Sequence, residues 1–587
     1  MQARHARSPR SGRAGGGKDR GEECDALRKR LKDTNKFAEV ARAARALASA
    51  GCTLGEEEVG EARRSLEEPL LSGKMRSAHS AAQAVHALAR LGLTPSVDAA
   101  SAAVQLVSGS GSAFALSQTL WALSKTGHDA SLSVAERDLL PEIVHLRHHT
   151  KDIDASTCAH ACSRMRSRSS ANAIAHMCER ILTLRQSPDH TCSLQAMSNA
   201  VWAAGRAECS SACHSCEHLC HSLAKSRSPG AKPMELSSAA WGAARVGCSS
   251  HAVSNLCAAI ASHVHSDDQN EVATSPDFAK AVAVACAACG IRRCRNGALT
   301  LSPAVSRSCH FMEPEDLANC AWGLSQALKL PADMYELSAL NDKLAEALYD
   351  ATPYLGPNAA TNAAFAACEL NLEHRDIVSV LSAASVQADT LSGDQASSCL
   401  RTCVQLDEEI DASIISAFIS RLSELVALSS GSAENTAQSL ASLGCLPWLV
   451  KPSDLDDFVQ HLDRRLSAGE TVSVNLLAEA FTRCAELLSH SAANLLICTL
   501  LQHIHLAEPR DAVSILAGLV CLRWRNTRAS FLADSAARLI RENSTQLDAN
   551  EIGLFIECAG ALGVDLGDSD VEGNISAPIS KSTIFGT

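Results

Sequence analysis

Along most of the chain, apolar residues recur at three- and four-residue intervals, the spacing that gathers them on one face of a helix. SQTLWALSKTG (117–127), AAQAVHALARLG (81–92), SNAVWAAGR (198–206), SSAAWGAARVG (237–247) and DLANCAWGLSQAL (316–328) share one such pattern, most of them closed by glycine as a helix of about three turns commonly is. The central Trp or His of this pattern defines a slot. Equivalent slots fall at Arg45, His86, Trp121, His160, Trp202, Trp241, Val284, Trp322, Phe365, Leu400, Gln438, Phe481, Ala517 and Glu557, at intervals of 35 to 43 residues with a mean near 39. That period holds two helices and two short turns, and a second helical segment does lie between slots, as in ANAIAHMCERILTLR (171–185) and HAVSNLCAAIASHVH (251–265). No hairpin of this kind buries its apolar stripe alone, so neighbours must stack to share a core. The pattern therefore predicts an all-α, right-handed α-solenoid of about fourteen helix-hairpin repeats over residues 35–566. Residues 1–34 read as a basic disordered leader and residues 567–587 as a disordered polar tail.

Composition supports close helix packing: of 587 residues 46% are hydrophobic but only 3% aromatic. The formal net charge of −12 conceals a split, because residues 1–250 carry 32 Lys and Arg against 24 Asp and Glu, and the remainder 21 against 41. A polyanionic partner is thus expected on the N-terminal half. The first twenty residues hold five Arg, one Lys and a single acid, Asp19, a composition that fits an organelle transit peptide. No apolar run approaches the length of a membrane span. The 25 cysteines, in a chain without a secretory signal pattern, read as reduced thiols.

CSSACHSCEHLC, residues 209–220, has the look of a metal site. The register argues otherwise. Cys209 lies seven residues after the Trp202 slot, where Cys52, Cys248 and Cys445 follow their own slots, and Cys213, Cys216 and Cys220 fall on the core stripe of the next helix. Tetrahedral zinc draws ligands from converging segments, which one straight helix does not provide. Cys286 and Cys289 sit inside a slot helix, and His145, His148 and His149 read as a solvated face. The expectation is no metal and no cofactor. Phosphate-loop, nucleophile-elbow and zincin motifs are absent, so the sequence reads as a non-enzyme, with neither a small-molecule substrate nor a membrane among its partners.

Two rows on the slot helix carry candidate chemistry. Three residues before the slot, polar groups recur: Gln83, Gln118, Asn199 and Asn319, with Thr157, Ser238, Asn362, Ser397, Asn435 and Ser514. Four residues after it stand Arg90, Lys125, Arg164, Arg206 and Arg245 in consecutive repeats. At 100° per residue these positions and the slot itself lie within about 60° of one another. Amides, the rings of Trp121, Trp202 and Trp241, and cations then share a stripe suited to base edges, stacking and phosphates of single-stranded RNA. The same rows also fit a hydrogen-bond ladder between layers, an aromatic core wedge and snorkelling helix-end cations.

DLANCAWGLSQAL, QTLWALSKTG, SNAVWAAGR and SSAAWGAARVG resemble the octotricopeptide-type repeat of organellar proteins, and the pattern is similar to that of FAST-kinase and RAP-domain relatives and of the repeat subunits of the RNA-editing substrate-binding complex. The resemblance spans roughly residues 35–566. It implies a mitochondrial, alternatively plastid, protein that holds single-stranded organellar mRNA or rRNA beside other RNA-processing or ribosomal proteins. Processing, stability, translation or ribosome assembly are the implied roles. No RAP-like C-terminal segment is present, so no nuclease role is carried over. The alternative is an armadillo- or HEAT-like scaffold clamping an extended peptide.

Overall fold

The structure is a computed structural model. It describes residues 24–564 apart from 27, 30–36, 51, 53, 128, 166, 227–230, 264–274, 329–337, 371, 373, 407–409 and 523–525. The tail 567–587 and all but residues 24–26, 28 and 29 of the leader 1–34 lie outside the described residues. Among the described residues every regular element is helical, and each of the fourteen slots falls inside its own helix, from Phe37–Ala50 around Arg45 to Ala549–Leu562 around Glu557.

The helices start and stop where local chemistry dictates. Ser77, Ser112, Ser193 and Ser275 precede the His86, Trp121, Trp202 and Val284 helices, and each hydroxyl accepts a first-turn backbone N–H. Gly127 (φ 68°) and Gly247 (φ 96°) end their helices in the left-handed region. The residue seven after the slot then bonds back five residues: Cys52 to Leu47, Leu93 to Leu88, Cys209 to Ala204 and Cys248 to Ala243, at 3.0–3.1 Å. At Cys209 and Cys248 this closure buries a small side chain under the helix end, a place that suits cysteine, whereas Cys445 bonds back only three residues, to Ser442.

Slot helices stack on their successors, those of Arg45, His86, Trp121, His160, Trp202, Trp241 and Val284 forming one row and those of Phe365, Leu400, Gln438, Phe481, Ala517 and Glu557 another. The intervening helices form a parallel row, and slot helices pack the more tightly of the two. Alanine allows this. Ala84, Ala87, Ala200, Ala203, Ala240 and Ala243 are fully buried, and Gly205 and Gly242 bring two helix backbones together: a Cβ at Gly205 would lie 2.4 Å from the Gly242 Cα.

The chain divides into two compact units, the first reaching Asp316 and taking in 326–330, the second comprising Leu317–Ser325 and the chain from Pro331 onward. The first carries 38 Lys and Arg against 31 Asp and Glu, the second 15 against 34, so charge changes from +7 to −19 between units.

Three details depart from the sequence reading. Cys24 and Cys52 form a disulfide, so not every cysteine is a free thiol; Cys24 sits in a short helical stretch inside the segment read as leader. The slots at Leu400 and Phe481 shift by one, because both side chains are fully buried while Arg401 is exposed and Thr482 half-buried, as most of the other slot residues are. Cys213 is only half-buried, in contrast to Cys216 and Cys220 beneath it. Among the described residues, no helix is long and apolar enough to cross a membrane.

Candidate functional site

Five slot residues of the first unit form two aromatic stacks, His86 with Trp121 and His160 with Trp202 and Trp241. The His86 and Trp121 rings lie 4.8 Å apart, His160 stacks on Trp202 at 4.9 Å, and Trp202 meets Trp241 at 6.4 Å. Each pair joins successive repeats, so each stack runs across layers. Seven residues, or about two turns, toward the helix N-termini a second contact stacks His79 on Phe114 at 4.8 Å.

The cations four residues on fold back over these rings. Lys125 Nζ lies 5.1 Å from the Trp121 centroid, and the Arg206 and Arg245 guanidinium carbons lie 5.3 and 5.9 Å from those of Trp202 and Trp241. That one-turn offset places a helix-end cation above a ring on the same helix. Arg90, Lys125, Arg206 and Arg245 are exposed, whereas Arg164 is half-buried against His160, its Nη2 3.2 Å from the imidazole Nε2. Arg90 donates to Ser49 Oγ of the preceding repeat at 3.1 Å, and Arg245 pairs with Glu208. The row is therefore a set of cations each held by the layer before it or by its own ring.

Cations of adjoining repeats lie close enough to bear on the same half-buried histidines. His86 is driven down to about 4 by burial, reinforced by Arg45, Arg90 and Lys125 from three successive repeats. His160 is likewise lowered to about 4, by burial and then by Arg164 and Arg206. Arg164 itself is lowered by burial and by Arg206. Both histidines are thus neutral rings at pH 7.

In the polar row, Gln83, Gln118 and Asn199 are part-exposed and Asn319 exposed. Gln83 Nε2 contacts His79 at 2.8 Å, and Asn362 donates to Asn319 at 3.1 Å across one layer of the second unit. The ladder between layers is thus real at Asn319 and Asn362. No bond from the Gln118 or Asn199 amide to another described residue is present, and the two lie three residues before Trp121 and Trp202 on the same helices.

The structure brings Gln118, Trp121 and Lys125 onto one face, joined by Asn199, Trp202, Arg206, Trp241 and Arg245; Asn319 belongs to the second unit, and Arg164 is partly withdrawn. His79, Phe114, His86 and His160 were absent from the site read from sequence. The two slot histidines were legible as slot residues; that they meet tryptophans one repeat away depends on contacts across 35 and 42 positions. Among the described residues, no group of three or more His, Cys, Asp or Glu is placed to hold a metal ion.

The face can receive polyanions through its cations and planar groups against its half-exposed rings, each tryptophan being already in contact with a neighbouring ring and a cation of its own helix. No family model and no curated protein matches this chain. Among solved structures, one from the homology model of the full-length AP-3 complex in an intermediate open conformation aligns over 93% of each chain at 10% identity, with a TM-score of 0.26 that bears on neither fold nor function.

Proposed function

We propose that this protein binds single-stranded RNA along the slot face of its first unit. The carrying observation is the pair of ring stacks, His86–Trp121 and His160–Trp202–Trp241, with Lys125, Arg206 and Arg245 each above the tryptophan of its own helix. Stacked planar groups interleaved with cations match what single strands offer at every nucleotide, a base face and a phosphate. The amides of Gln118 and Asn199 lie on the same stripe and supply donors and acceptors for base edges. An organellar RNA, and a role in processing, stability, translation or ribosome assembly, rest on the repeat resemblance and the basic leader composition.

Phosphate contacts make binding salt-dependent, with a slope of about 0.7 per contact for single strands. Purified protein should therefore bind a single-stranded RNA pool with an affinity that falls as salt rises. The triple variant Lys125→Glu, Arg206→Glu, Arg245→Glu should lower affinity by well over tenfold and flatten the slope. Arg164 is left out because it is partly buried against His160. Unchanged affinity in the triple variant, or in-cell crosslinking that recovers proteins and no RNA, would sink the proposal and favour a peptide-clamping scaffold.

A further inference from the structure

We infer that Cys213 and Cys248 are a thiol pair that oxidises to a disulfide stapling the Trp202 repeat to the Trp241 repeat. Their sulfurs lie 3.9 Å apart, and Cys248 Sγ also approaches the Cys213 carbonyl at 3.6 Å. A disulfide needs a bonded separation of about 2.05 Å, so closure asks the two side chains to rotate toward each other.

The surroundings hold the two segments in place. Cys248 follows Gly247 at the end of the Trp241 helix, its N–H bonded to Ala243 O at 3.0 Å. Cys213 opens the helix Cys213–Ala224, on which Glu217 accepts the Ser249 N–H at 2.7 Å. Arg245 and Glu208 pair across the same two layers. Two non-covalent ties thus bracket the sulfurs, so the partner thiol is present at high effective concentration.

Distance alone would favour Cys257 and Cys289, whose sulfurs are 3.5 Å apart, but both side chains are fully buried. Cys178, Cys216 and Cys220 are buried as well. Cys213 combines a near partner with exposure to solvent, so a small oxidant can reach it first. A hydroperoxide transfers oxygen to the Cys213 thiol, giving the sulfenic acid and water or an alcohol. The Cys248 thiol then attacks that sulfur, an S–S bond forms, and the hydroxyl leaves as a second water with the thiol's proton. Two thiols are oxidised by two electrons and one peroxide is reduced. Burial raises the Cys248 thiol above its ordinary range, which suits it to the role of resolving partner rather than first target of the oxidant.

The test uses the full-length chain, exposed to stoichiometric hydrogen peroxide, blocked with an alkylating agent and mapped as peptides without reduction. A linked Cys213–Cys248 peptide, two hydrogens lighter than the free pair and lost on treatment with dithiothreitol, is expected as the earliest new crosslink. Cys248→Ala should instead leave Cys213 as a sulfenic acid trapped by dimedone, and Cys213→Ser should leave Cys248 alkylatable only after unfolding. If Cys213 of the folded wild-type chain stays free, joins Cys216 or a second molecule, or reacts after Cys257 and Cys289, the inference is overturned. None of these readouts depends on RNA binding, so the two proposals fail independently.

Discussion

His86 and His160 show how single residues carry the electrostatics of the slot face. Each is driven to about 4, first by burial and then by the cations of its own and adjoining repeats. In an unfolded chain a histidine titrates near 6.5. As pH falls from about 6.5 toward 4, the unfolded chain therefore binds protons that the folded chain refuses, and stability declines across that window while holding above it. The melting temperature should drop between pH 6.5 and 4.5, and the double variant His86→Phe, His160→Phe, which keeps planar stacking partners and cannot titrate, should show a shallower decline. Equal slopes for the two proteins would mean that the histidines do not carry the dependence.

Between elements, the closest approach occurs at glycines. A Cβ on Gly242 would lie 2.3 Å from Val201 O and 2.8 Å from the Trp202 Cα, all backbone, so no side-chain rotation relieves it. Gly242→Ala should therefore destabilise by about 1–3 kcal/mol through overpacking, even though alanine is the better helix former. Gly60, inside the helix Glu56–Leu71 with nothing within 4 Å of its would-be Cβ, is the matched control. Gly60→Ala should be neutral or stabilising by up to about 1 kcal/mol, and denaturant titration of both variants reads the difference. Slot helices were legible in sequence because serine caps, closing glycines and the apolar stripe all repeat in phase. The pairing of Gly205 with Gly242 was not, since WAAGR and WGAAR place their glycines at different steps and only the crossing of the two helices brings them together. The same limit accounts for the slips at Leu400 and Phe481. Without a tryptophan to mark the outward position, a large apolar residue took its place in the alignment, and one residue of slip turns the helix face by about 100°.

At the scale of the molecule, stability in stacked hairpins is close to a sum over neighbouring interfaces, so the chain need not unfold in one step. The two compact units differ most in charge, +7 against −19. Net charge far from zero opposes compaction through self-repulsion, and salt screens it over about 10 Å at 0.1 M. Raising sodium chloride from low to moderate concentration should therefore stabilise the second unit more than the first. Hydrogen exchange read by mass spectrometry separates them: peptides from the helices Pro357–Glu369 to Pro509–Cys521 should gain protection with salt, while those from Ala78–Arg90 to Pro233–Val246 change little. Single-stranded RNA at low salt should do the reverse, protecting the second set and leaving the first unaltered, because a ligand stabilises only the part that binds it. Protection by RNA in the acidic unit, or a uniform response to salt along the chain, would show that the charge division does not organise how the protein meets its partners.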